Sequence, residues 1–188
     1  MRLIPLGIEG AWLATSQVWQ DQRGFFREWF KSAEVEAETG LKFEVEQANI
    51  SRSDRGVVRG IHYSLAAAGQ HKWITCTFGE INDVIVDIRP GSPTEGEYIS
   101  INLNSESGKA VLIQQGLGHA FVSLADESTV AYLVSSPFSP SEEYEINPLD
   151  PKFGIKWGLP ISELSLSLKD KSAPNWQDQF SKGNLPLG

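Results

Sequence analysis

The chain has 188 residues, 40% hydrophobic and 21% charged, with sixteen basic against twenty-four acidic side chains for a formal charge of −8. Such a chain can bury a real core and is not disordered, and its acidic balance argues against a general binder of nucleic acid or of membrane surfaces, without forbidding a local basic pocket for a small anion. No apolar run approaches the ~20 residues of a membrane helix, Met1–Pro5 lacks a signal-like apolar core, and the lone Cys76 has no intrachain disulfide partner, so a reducing, cytoplasmic setting is expected.

In chain order, the best helical signal is Ser32 to Thr39, where Ser32 is a candidate cap, Glu34 to Glu38 favour helix and Gly40 is a candidate stop. Most of the middle of the chain alternates with period two. Segment 45–50 sets Val45, Gln47 and Asn49 against Ala48 and Ile50. Segment 83–89 sets Val84, Val86 and Ile88 against Asp83, Asp87 and Arg89. Ile99, Ile101 and Leu103 alternate with Tyr98, Ser100 and Asn102, and Val130, Tyr132 and Val134 with Ala131 and Leu133. Turn signals separate these runs at 89–93, 104–108 and 125–128. The C-terminal tail begins at about residue 160, and from Leu164, with Asp170 and Pro174, it carries a weak helical or turn signal. Short strands with few helices indicate an all-β jelly-roll β-sandwich, read as one domain over 1–188. Several polar strand faces, with Gln47 and Asn49, with Asp83, Asp87 and Arg89, and with Tyr132, are poor in Lys and Glu. They suit the lining of a ligand mouth better than a plain solvated face.

The chemically densest stretch runs from Gly56 to Tyr63 and on through Gln70-His71-Lys72. It gathers a guanidinium suited to phosphate, an imidazole suited to proton transfer and an ammonium suited to a developing oxyanion. Strict alternation puts Arg59 and His62 on opposite faces. Both reach one ligand only if Gly60 marks a bulge or Arg59 lies at the strand entrance.

Asp21-Gln22-Arg23-Gly24-Phe25-Phe26-Arg27-Glu28 resembles the D-x-R-G-x-F-x-E opening of the nucleotide-sugar 3,5-epimerases. Gln47-Ala48-Asn49-Ile50-Ser51, Arg59-Gly60-Ile61-His62, Gln70-His71-Lys72, Asp83–Arg89 and Gly116–Phe121 come next, in that family's order. Tyr132, the Pro-rich turn with Glu143, Asp150-Pro151, Gly154–Trp157 and Leu168-Lys169-Asp170 complete a pattern over roughly residues 3–175. The chain is similar to the dTDP-4-dehydrorhamnose 3,5-epimerases. That resemblance implies a cupin-type jelly roll, typically a homodimer, acting without a cofactor on a dTDP-4-keto-6-deoxyhexose.

The same resemblance implies the roles. His62 is the base that removes a proton α to the C4 ketone, Asp170 its orienting partner, Lys72 the oxyanion stabiliser and Tyr132 the acid on the far face. Arg23 and Arg59 match diphosphate contacts. Phe26, Glu28, Gln47, Asn49, Lys72, His119, Glu143 and Lys169 match other ligand contacts, and Phe138 holds the place of the aromatic that stacks on thymine. Gln114 stands where the family commonly has Pro, and Ala120 where it commonly has Gly. Stretches 69–76 and 147–151 look closer to members that serve secondary-metabolite deoxysugars, some of which invert a single carbon.

Taken singly, His62, Tyr132, Asp170 and Lys72 each have an ordinary structural reading; their joint occurrence in order carries the catalytic one. Two rivals remain at this level. A metal-dependent cupin has three histidines to draw on, His62, His71 and His119, but the H-x-H pair of metal cupins is missing, because Tyr63-Ser64 come after His62, and Lys72 adjoins His71. No metal is therefore expected. A non-catalytic sugar-nucleotide binder would keep the pocket and lose the base or the acid.

Overall fold

The computed structural model describes residues 1–187 and shows two six-stranded sheets, almost wholly antiparallel, packed face to face. The first runs β1 (Arg2–Pro5), β2 (Ala11–Thr15), β10 (Lys109–Ile113), β7 (Lys72–Phe78), β12 (Ser128–Val134), β5 (Gln47–Ser53). The second runs β13 (Glu143–Glu145), β6 (Val57–Ser64), β11 (Gly118–Ser123), β8 (Glu80–Val86), β9 (Tyr98–Asn104), with β14 (Ser165–Leu166) added parallel to β6. A separate hairpin, β3 (Val18–Asp21) and β4 (Gly24–Arg27), stands outside both sheets. The expected sandwich with a few short helices is what forms. No helix among the described residues is long and apolar enough to cross a membrane.

Period-two alternation explains the layering, with the qualification that both faces of the central strands are apolar. Between the sheets pack Ile74, Cys76, Val111 and Val130 from one side and Ile81, Ile85, Leu103 and Phe121 from the other. The outer face of the first sheet, with Trp73, Leu112 and Leu133, is covered by residues 29–43, where α1 (Ser32–Thr39) contributes the buried Val35. The outer face of the second, with Val58, Ile61, Val84 and Val86, is covered by Ile146, Phe153, Trp157 and Trp176. Each such fully buried aliphatic side chain contributes about 1.5–3 kcal/mol of transfer free energy.

The helix lies at 32–39, and Gly40 ends it in the left-handed conformation (φ 74°), donating its N–H to the Glu36 carbonyl at 2.8 Å. Ser32 does not cap it. The cap position is Lys31, without a side-chain bond, and Glu34 instead binds the N-terminal ammonium and Lys31.

Of the two ways for Arg59 and His62 to share a face, β6 shows the bulge. His119 stands opposite His62 and Phe121 opposite Arg59, so Gly60 and Ile61 together face the single Ala120. Gly60 has φ +123°, and a Cβ there would lie 2.4 Å from the Ala120 Cβ and 2.6 Å from the His119 carbonyl oxygen. The site needs glycine.

The tail is more organised than the sequence signal suggests. Trp176 donates its indole N–H to the Ile88 carbonyl at 2.9 Å and its backbone N–H to Asp150 at 2.7 Å, and Tyr63 donates to the Asn184 carbonyl at 2.8 Å. These anchors hold α2 (Leu168–Lys171) and α3 (Trp176–Ser181) against the second sheet.

Candidate active site

One end of the sandwich opens into a cavity of about 610 Å³. Its walls come from β5 (Gln47, Asn49), β6 (Arg59, His62), β7 (Lys72), β12 (Tyr132, Val134), β13 (Glu143, Tyr144), the 135–142 loop (Phe138) and the tail (Ser165–Ser167, Lys169, Asp170). A smaller inner chamber of about 190 Å³ shares Arg59, His62, Lys72 and Tyr132 and adds Ser51, His119, Phe121 and Val130. The four residues expected to carry chemistry therefore line one space. His62 enters from the second sheet, and Tyr132 and Lys72 from the first.

His62 and Asp170 are joined by a 2.8 Å hydrogen bond from Nε2 to Oδ1, with the carboxylate buried and the imidazole partly open. The parallel pairing of β14 with Val57 and Val58 delivers the next residue, Ser167, which caps α2. The Ser167 hydroxyl accepts the Asp170 backbone N–H at 3.0 Å and donates to Asp170 Oδ2 at 2.8 Å, so both carboxylate oxygens are satisfied. Burial alone would raise the Asp170 pKa, but the hydrogen bond and charge of His62, with Ser167 and Lys169, outweigh it and hold the group below its usual value. A carboxylate only accepts, so Nε2 keeps its proton and Nδ1 is the nitrogen left to take another.

Burial also lowers the Lys72 ammonium against the opposing pull of Glu143. Burial raises the Tyr132 phenol, aided by Glu143 and opposed by Arg59. Around the mouth, Arg59 is braced by the Ser53 hydroxyl (3.0 Å) and the Arg52 carbonyl (3.1 Å). Gln47 binds Asn49 (2.7 Å) and accepts the Phe138 backbone N–H (2.9 Å), and Phe138 is 60% exposed. Lys169 pairs with Glu145 at 3.0 Å. Three cations thus gather at one end of an acidic protein, an arrangement suited to a diphosphate.

Three of the expected contacts lie elsewhere in the chain. Arg23 and Phe26 line a separate hollow on the β3–β4 hairpin, where Arg23 pairs with Asp21 at 2.5 Å, and Glu28 pairs with Lys31 at 2.7 Å. Asp87 and Arg89, suspected as ligand-facing, instead form a closed network with Ser92 and Thr94 in the turn after β8. The three histidines do not converge: the His71 Nδ1 accepts the Gln115 backbone N–H at 3.1 Å and its ring sits against Phe43. Among the described residues no cluster of three or more His, Cys, Asp or Glu is arranged to hold a metal ion.

The sequence did not single out Tyr144 or Ser167, and it placed Ser51 and Gln70 only within motifs. Gln70 is buried and donates to Glu143 at 3.1 Å, fixing one wall. Gln114, in the place of the usual Pro, donates its backbone N–H to the Gly10 carbonyl at 2.7 Å, a bond a proline cannot make.

A family model described as dTDP-4-dehydrorhamnose 3,5-epimerase matches residues 5–178. A dTDP-4-dehydrorhamnose 3,5-epimerase of Mycolicibacterium smegmatis is 43% identical over 181 residues, which cover 96% of this chain and 89% of that protein. A dTDP-4-dehydro-6-deoxyglucose 3-epimerase from a Streptomyces species is 43% identical over 182 residues, or 97% and 92% of the two. Among solved structures, NovW, a 4-keto-6-deoxy sugar epimerase from the novobiocin gene cluster of Streptomyces spheroides, matches with a TM-score of 0.95 and 41% identity over 100% of this chain and 93% of that one. ChmJ, a 3'-monoepimerase from Streptomyces bikiniensis in complex with dTDP-quinovose, matches at 0.92 and 41%, again over 100% and 93%. With these matches the sandwich is a cupin-type jelly roll.

Proposed function

The chain belongs to the dTDP-4-dehydrorhamnose 3,5-epimerase family, and on that premise we propose that it epimerises a dTDP-4-keto-6-deoxyhexose by proton removal and return next to the C4 ketone, inverting C3. The relatives whose names give the carbon, the Mycolicibacterium smegmatis and Streptomyces enzymes and ChmJ, share action at C3 and divide over C5. The observation that supports the reading is that an imidazole and a phenol enter one chamber from facing sheets.

The chemistry needs no redox partner, because a proton α to a ketone is acidic once the enolate oxygen is stabilised. His62 Nδ1 removes the proton from one face of the ring, and the Asp170 carboxylate balances the imidazolium that forms. Lys72 stabilises the enolate oxygen. Tyr132, kept protonated by its burial, returns a proton to the opposite face, which is what inverts the carbon. Arg59 and Lys169 hold the diphosphate, Phe138 stacks on thymine, and Gln47, Asn49, His119 and Glu143 complete the contacts.

Under this reading the protein is a cytoplasmic homodimer. The hairpin carrying Arg23 and Phe26, with Glu28 after it, serves the site of a second copy, and its exposed Trp19, Phe25 and Phe26 are covered on association. Proton NMR of the product formed in D2O tests the function. Deuterium at C3 with inverted configuration is expected, and deuterium at C5 adds the second centre. A protein that binds dTDP but catalyses no exchange at either carbon is a binder and not an epimerase.

A further inference from the structure

The chamber has a second imidazole–carboxylate pair. His119 lies directly opposite His62 on the neighbouring strand, so the two rings project side by side from one face of the sheet. His119 Nε2 is 2.8 Å from Asp83 Oδ2, and Asp83 is fully buried in β8. Among the described residues the other Asp83 oxygen has no hydrogen-bond partner.

That arrangement is a poor way to stabilise a fold. A fully buried carboxylate with one oxygen unsatisfied carries a desolvation cost that an apolar side chain of similar volume avoids. Its neighbours Ile81, Ile85, Ile101 and Phe121 would accept such a side chain. Among the described residues its one side-chain partner is a histidine that lines the inner chamber, so what Asp83 does is done through that ring.

We propose that Asp83 is a positioning residue that fixes His119 with the proton on Nε2, so that Nδ1 faces the bound hexose as a hydrogen-bond acceptor for a ring hydroxyl. A carboxylate accepts only, which settles the tautomer of the neutral ring. A lone pair at Nδ1 repels a keto oxygen and attracts an O–H. With Arg59 and Lys72 already supplying positive charge to the chamber, the acceptor adds the discrimination they lack: it recognises the hydroxyl-bearing edge of the sugar and turns the ketone toward Lys72. This inference rests on the epimerase reading for its ligand, although the tautomer itself does not.

Two measurements test it. In wild-type protein labelled with ¹⁵N-histidine, the His119 ring is expected to show a pyrrole-type Nε2 and a pyridine-type Nδ1, assigned by their loss in His119→Phe. Saturation with an unreactive dTDP-6-deoxyhexose is expected to shift Nδ1, whereas dTDP alone leaves it in place. The reverse tautomer, or no response to the sugar, overturns the proposal. In a mutant cycle, Asp83→Asn is expected to lower kcat/KM about 10- to 100-fold while dTDP affinity stays within about twofold. In the His119→Phe background the same change is expected to cost less than about twofold. Additive losses, or a parallel fall in dTDP affinity, make Asp83 a structural residue. If wild-type protein catalyses no deuterium exchange, the epimerase reading fails on its own, and the tautomer result is judged separately.

Discussion

Arg59 and His62, three positions apart on β6, face the same cavity because Gly60 and Ile61 stand together opposite Ala120. In a regular strand they would point to opposite sides of the sheet. Gly60→Ala puts a methyl against Ala120 and the His119 carbonyl at a backbone conformation that alanine disfavours. The expected result is a loss of about 2–4 kcal/mol in denaturant titration, with residual folded protein impaired in both dTDP binding and turnover.

His62→Ala is expected to abolish solvent deuterium uptake at every position, a loss of at least ~10²–10⁴ in rate. Asp170→Asn removes both the charge that balances the imidazolium and the acceptor-only group that keeps Nδ1 free, so a fall in kcat smaller than that of His62→Ala, with KM little changed, is expected. Equal activity in Asp170→Asn and wild type would contradict the pairing seen at 2.8 Å.

Tyr132→Phe separates the two halves of the reaction. With base and oxyanion stabiliser intact, exchange next to the ketone continues, while return of a proton to the far face is lost. NMR in D2O is expected to show label entering substrate faster than inverted product accumulates. Loss of both in equal measure contradicts distinct roles for the two faces.

Burial moves Lys72 and Tyr132 in opposite senses, the ammonium below 10.5 and the phenol above 10.0. The alkaline limb of kcat/KM is therefore assigned to discharge of Lys72, with Tyr132 still protonated. The limb is expected to persist, at the same pH, in the residual exchange of Tyr132→Phe. Its disappearance in that variant would assign it to the phenol.

Away from the site, Asp87 contributes stability that depends on acid. Burial alone would raise it, but hydrogen bonds from Arg89, Ser92 and Thr94 prevail and bring its pKa to about 2, against 3.8 for the unperturbed group. A carboxyl depressed on folding stabilises fully above its unfolded pKa and loses that contribution as pH falls through its folded one. Asp87→Asn is expected to cost about 2 kcal/mol at pH 7, with the gap to wild type closing between about pH 4 and pH 2.

Alternation and glycine chemistry make much of this legible in the sequence. Gly40 marks a real helix end, Gly60 a real bulge, and the inward position of Tyr132 follows from its strand. What stays hidden depends on which strands become neighbours. His119 meets Asp83 because β11 lies beside β8, and nothing local to either residue announces it. Ser167 looks like one serine among several until β14 fixes it as the cap that clamps Asp170. Periodicity puts Asp87 and Arg89 on a ligand-facing edge because it cannot tell when a strand has ended: β8 stops at Val86, and the turn folds the two charges onto each other.

The imidazole and the phenol hang from different walls, and the Ile74, Ile85, Leu103 and Val111 packing behind them sets how far apart those walls stand. Stereochemical fidelity is thereby tied to the girth of an oily interior that never meets the sugar. Trimming Leu103 to Ala leaves every polar group at the mouth untouched, yet the proportion of exchange events that end in inversion is expected to drop.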